Sequence, residues 1–170
     1  VGGGGGAVGH AARGELGWPH GLIGCADFGV DDVRPQVDRL TRYPLLRGVR
    51  MQLHWHENPL YRFAPRADLC ADPTIRRNIA RLADYGWIFE LQVFAPQMTD
   101  AAGLAEACPN VTFVLQHAGM LADLSPAGPS ALRARMVRLP ACPTPAFQCS
   151  ALPPFPHPHP PAPPPRLPPA

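Results

Sequence analysis

The sequence predicts an α/β fold built on a parallel sheet. Three observations carry that reading. Four apolar, strand-like runs alternate with three helix-like segments between Gly21 and Gly119. Alternation of this kind favours parallel strands joined by right-handed crossovers. The runs are almost continuously apolar, as strands covered on both faces are. The unusual glycine and proline content, 16 and 24 of 170 residues, is concentrated outside this stretch. Gly2 to Gly6 is an unbroken run, and fourteen prolines fall between Pro140 and Pro169. Only the middle, about one hundred residues, has the composition to bury a core.

The first strand is Leu22–Ala26, ending at Asp27-Phe28-Gly29. A helix over residues 31–40 follows, with Val33, Val37 and Leu40 on one face. The second strand lies within Leu45–Leu53, and a long polar loop runs from His54 to Ala71. Asp72 is a helix N-cap with Pro73 at the first helical position. In that helix Ile75, Ile79 and Leu82 recur at core spacing, and Gly86 ends it. Trp87–Phe94 is the third strand, with Glu90 and Gln92 on one face and Phe89, Leu91 and Val93 on the other. Met98–Ala107 is a shorter helix stopped near Pro109, and Val111–Gln116 is the fourth strand. Ala131–Leu139 has helical spacing, and Ala146–Leu152 has the content of a fifth strand.

Two architectures fit: a doubly wound sheet, or part of a (β/α)₈ barrel. A whole barrel takes about 250 residues, so four to five parallel strands with crossover helices make about half of one. Residues 1–14 read as a flexible Gly-rich leader, 15–152 as the folded domain, and 153–170 as an extended or disordered Pro-rich tail.

A net charge of +2 gives no basic field for nucleic acid or a membrane surface. All fifteen basic residues are arginine, which together with the Ala/Pro/Gly richness reads as codon bias. Five cysteines, odd in number and without a C-x-x-C pair, suit a reducing cytoplasm. No basic start and apolar core mark a signal peptide, and no apolar run reaches transmembrane length.

The stretch Val111–Gly119 ends a strand-like run in His117 and breaks at a glycine. Strand ends carry the chemistry in folds of this type, and a histidine there can ligate metal, act as a base or donate a hydrogen bond. A histidine merely satisfied at a strand end is the plain alternative. His54-Trp-His56 is a second feature, because residues two apart on a strand point to one face and could share a metal. Its position at the mouth of a loop favours solvated histidines instead. Arg50, inside the second strand, is either a clamp for an anionic substrate group or the partner of Glu90. Gly4-Gly-Gly6-Ala-Val-Gly9 matches G-x-G-x-x-G but follows no strand within the sequence, so the dinucleotide reading fails. His157 and His159 lie on the proline tail with no scaffold to orient them.

These segments occur in a familiar order: 21–27, Leu46-Arg-Gly-Val-Arg50, His54-Trp-His56, Arg76-Arg77, 86–93, Gln97-Met98 and Val114-Leu-Gln-His-Ala-Gly-Met120. Together they resemble the amidohydrolase-related family of metal-dependent TIM-barrel hydrolases, similar to dicarboxylate lactonases and sugar lactonases. The resemblance covers about residues 15–125 and continues weakly to Leu152. It implies opening of a lactone or similar ester by activated water. It implies that His117 binds a divalent metal, zinc or manganese, or polarises the substrate carbonyl in a metal-free member. It implies that Arg50 holds a substrate carboxylate and that Gln92 lines the pocket, so the substrate would be a small anionic lactone or carboxylate.

The sequence departs from the family pattern at Gln116, Leu121 and Met51, where Asn, Pro and Gln are usual. The family's first-strand H-x-H and last-strand aspartate have no counterpart among these residues. The chain is therefore expected to be weak or inactive alone, and to self-associate through open sheet edges. Two alternatives accompany this reading. One is a non-catalytic interaction protein whose proline tail docks on aromatic grooves. The other is a truncated or mis-predicted gene product.

Overall fold

The computed structural model describes residues 21–121, together with residues 128, 130, 133–134 and 145–147. Five strands form one sheet in sequential order: β1 (Leu22–Cys25), β2 (Leu46–Gln52), β3 (Ile88–Gln92), β4 (Phe113–Leu115) and β5 (Pro145–Phe147). Every neighbouring pair is parallel. All strands therefore point their carboxyl ends to one edge of the domain. A single rung, Cys25–Arg50–Glu90–Val114–Ala146, crosses the whole sheet.

Between the strands lie α1 (Arg34–Leu40), α2 (Pro73–Ala80) and α3 (Met98–Ala107). Asp72 caps α2 as expected: its carboxylate accepts from the Thr74 N–H at 2.8 Å and the Ile75 N–H at 3.1 Å. The helix is shorter than its periodicity suggests. It tightens into a 3₁₀ turn over Arg81–Tyr85 and ends at Gly86, whose φ of 62° suits glycine. The helix expected from residue 31 begins only at Arg34, because the Asp32 carboxylate takes the Arg34 N–H and side chain in a local turn. The expected long loop 54–71 contains two 3₁₀ turns, Pro59–Tyr61 and Leu69–Ala71.

One face of the sheet packs on the helices. Val49, Phe89, Leu91, Phe113 and Leu115 are buried there with Val33, Val37, Ile75, Ile79, Leu82 and Leu104. The opposite face carries Cys25, Arg50, Gln52, Glu90, Gln92 and Val114, and Cys25 and Gln52 are exposed. That alternation is the one expected for Glu90 and Gln92. A polar, solvated second face is what the interior of a barrel presents when only part of the wall is built. Gly48 is required on this face: a Cβ there would lie 2.5 Å from the Ile88 carbonyl oxygen.

The fifth strand runs from Pro145 to Phe147, starting one residue before the expected 146–152 and overlapping it at 146–147, and residues 148–152 lie outside the described ones. Of the helix expected over 131–139, Arg133 and Ala134 are helical and the rest lie outside the described residues. The leader 1–14, with its glycine motif, and the tail 153–170, with His157 and His159, also lie outside them. No helix among the described residues is long and apolar enough to cross a membrane.

Candidate active site at the carboxyl end of the sheet

The residues following β2, β3 and β4 meet at the carboxyl edge. His54 lies two positions beyond β2 and is only 4 % exposed. Its backbone carbonyl accepts from the N–H groups of Phe63 (3.3 Å) and Ala64 (3.0 Å), so the loop closes back onto it. Its ring leans on Phe63, with centroids 4.6 Å apart, and on Phe94 at 5.8 Å. Its Nδ1 is buried without a hydrogen-bond partner. Burial, and then the neighbouring charge of His117, pull its pKa down to about 4. His54 is therefore a neutral imidazole at pH 7, and His117 is close enough to act on it.

His117 follows β4 in an unusual conformation. The chain turns at Gln116, and His117 takes φ 53° and ψ 32°. It is the non-glycine residue with positive φ among those described. Gly119 follows at φ 71°, and its N–H closes the turn onto the Gln116 carbonyl at 3.0 Å. A left-handed histidine costs on the order of 1–2 kcal/mol relative to glycine, and such strain collects at functional sites. Gln92, on the open face of β3, donates weakly to the Met120 sulfur at 3.8 Å and so reaches the same turn.

His56 is held differently. Its Nδ1 accepts from the Asn58 N–H at 2.9 Å, and its ring meets Phe94 and Tyr61 edge-on. The strand ends at Gln52, so His54 and His56 do not share a strand face as the H-x-H spacing suggested. The imidazole that the fold brings to His117 is His54.

Arg50 takes the second of its two readings. Its Nε donates to Glu90 Oε2 at 2.8 Å, and its Nη2 donates to the same oxygen. Glu90 is buried and directly opposite on β3. The guanidinium charge is thus matched within the sheet, two residues before the Gln52–Gln92 pair in the register.

Gln97 and the ring of Phe94 carry no functional signal in the sequence, yet they build this edge. Gln97 Nε2 donates to the carbonyls of Leu53 (3.0 Å) and Ala67 (3.0 Å). Its Oε1 accepts from the N–H groups of Trp55 (2.9 Å) and Phe94 (3.2 Å). One buried amide therefore ties the end of β2, the start of α2's approach loop and the end of β3. Only its place in the Gln97-Met98 segment of the ordered resemblance pointed to it.

Two imidazoles are short of the three protein ligands that a catalytic zinc site uses. Among the described residues no three His, Cys, Asp or Glu side chains converge to hold a metal ion. The donor set described here does not fit a divalent metal.

An amidohydrolase family model matches residues 7–170. The chain belongs to the amidohydrolase family. An uncharacterised protein of Sinorhizobium fredii, y4mH, is 32 % identical over 114 residues, covering 67 % of this amidohydrolase chain and 37 % of that protein. A crystal structure of an amidohydrolase from Burkholderia multivorans with bound zinc superposes with a TM-score of 0.67 at 22 % identity. The match covers 86 % of this chain and 49 % of that one, and a second crystal form with bound HEPES gives the same values. These structures share the fold, a partial (β/α)₈ barrel here. The chain spans less than half the length of either relative.

Proposed function

We propose that this amidohydrolase site hydrolyses a small lactone, ester or related acyl bond by attack of water. The strained left-handed His117 at the carboxyl end of β4 carries the reading. An imidazole fixed there at a conformational cost supports a role as hydrogen-bond donor to a carbonyl oxygen. Water oxygen attacks the carbonyl carbon, and the π electrons move onto the oxygen facing His117. Collapse breaks the acyl C–O bond, and the leaving oxygen takes the proton that water gives up. Neutral His54 and the rings of Phe63 and Phe94 line one side and lower the local dielectric, which strengthens a hydrogen bond to developing charge. The zinc of the Burkholderia relative and the zinc or manganese implied by the resemblance have no described third donor here, so no step is routed through metal. The free thiols Cys25, Cys70 and Cys108 support a cytoplasmic setting, checked by fractionation.

A proton-release assay over a panel of lactones and esters tests the reading. Turnover above buffer, falling at least about 100-fold in His117→Ala, is required. Wild type equal to buffer across the panel rejects this chain as the active unit, and equal rates in both proteins reject His117.

A further inference from the structure

We propose that this site selects a substrate with an apolar, uncharged substituent, alkyl or aromatic, seated on Phe63 and Leu60 at the lip of the His54 loop. For its chemistry this rests on the hydrolase reading; for binding it stands alone. Leu60 and Phe63 are 73 % and 60 % exposed, the large hydrophobic side chains open to solvent among the described residues. Scattered apolar residues on a surface need no explanation, but Phe63 touches His54 and Leu60 lies on the same loop. The Phe63 ring packs on buried His54, which packs on Phe94, so an apolar wall runs from the lip to the histidine pair.

The loop holds that lip in place. Asn58 Oδ1 accepts from the Leu60 N–H at 3.0 Å, and the Asn58 carbonyl accepts from the Tyr61 N–H at 3.1 Å. The two N–H bonds to the His54 carbonyl close the loop behind Phe63. Leu60 and Phe63 are therefore presented by a preorganised turn, which lowers the entropy lost on binding.

The charges point the same way. Arg62, between the two apolar residues, is turned back. Its Nε donates to the His56 carbonyl at 3.0 Å, its Nη2 to the Glu57 carbonyl at 2.6 Å, and its guanidinium lies 5.2 Å over the Trp55 ring. Arg50 is matched by Glu90. Glu57 is exposed on the same loop. On this loop an incoming carboxylate meets one committed cation, Arg62, and one open anion, Glu57, whereas an apolar group meets two bare side chains.

Calorimetric titration of the full chain with non-hydrolysable lactams tests this. One lactam carries a phenyl group and the other a carboxylate at the same ring carbon. The phenyl lactam is expected to bind about tenfold more tightly, as follows from burying roughly 50 Å² of apolar surface. Phe63→Ser removes most of that preference. Leu60→Ser, whose side chain is largely solvated, repeats the test where packing against His54 is not disturbed. Equal or tighter binding of the carboxylate lactam overturns the proposal. So does phenyl-lactam affinity unchanged in both variants, or no binding of either compound. Phenyl-lactam binding without turnover of the matching phenyl lactone refutes the hydrolase reading and leaves this one standing.

Discussion

Lowering the pH from 6.5 to 4 should destabilise the fold through His54 specifically. In the unfolded chain this imidazole titrates near its ordinary 6.5, whereas in the fold it stays neutral until about 4. Between those values the unfolded state binds the extra proton, so stability falls as pH falls. At about 1.4 kcal/mol per unit, the loss is roughly 2 kcal/mol at pH 5 and about 3 kcal/mol at pH 4, an upper figure. The near-complete burial of the ring and its unpartnered Nδ1 favour the large end of that range. Asp32, held at about 2 mainly by its hydrogen bond with the Arg34 side chain, loses its contribution only below its ordinary 3.8. The window above pH 4 therefore isolates the histidine. Urea unfolding at half-unit pH steps, on wild type and His54→Gln, measures the effect. The glutamine does not titrate, so its curve should be flatter by the stated amount. Parallel curves for the two proteins refute the placement of His54 as a buried neutral ring.

Replacing His117 separates strain from side chain. His117→Gly should be about 1 kcal/mol more stable than His117→Ala in urea unfolding, since alanine retains the left-handed cost while glycine gains freedom in the unfolded chain; equal stabilities contradict the conformation. Gln97→Leu strands the N–H groups of Trp55 and Phe94 and the carbonyls of Leu53 and Ala67, and should cost about 3 kcal/mol by the same measurement. Among the described residues β1 and β5 end the sheet with one unpaired edge each, so sedimentation should show dimers or larger species that dissociate on dilution; a monomer at all concentrations counts against it.

Much of the fold is legible in the sequence because its signals are local. Apolar runs mark β1 to β4, and Asp72-Pro73 marks the start of α2 through a bond three residues long. The polar alternation of Glu90 and Gln92 announces the open face, and the Arg50–Glu90 pair follows from it. The site is less legible because its determinants are long-range or conformational. Gly119 signals a turn after β4, but nothing local says that the left-handed residue is already His117. The segment after Leu53 reads as polar and solvated. His54 is nevertheless buried, since Phe63, returning on the same loop, and Phe94, 40 residues on, cover it. Gln97 bonds to groups as many as 44 residues away, a separation no periodicity encodes.

The most direct test is kcat/KM of His117→Gly against wild type on whichever lactone the wild-type chain turns over fastest. Glycine keeps the left-handed turn and removes only the imidazole. With the fold verified by its urea curve, a loss of at least about 100-fold is predicted. Activity within twofold of wild type would contradict the claim that the strained histidine at the carboxyl end of β4 is the centre of the site.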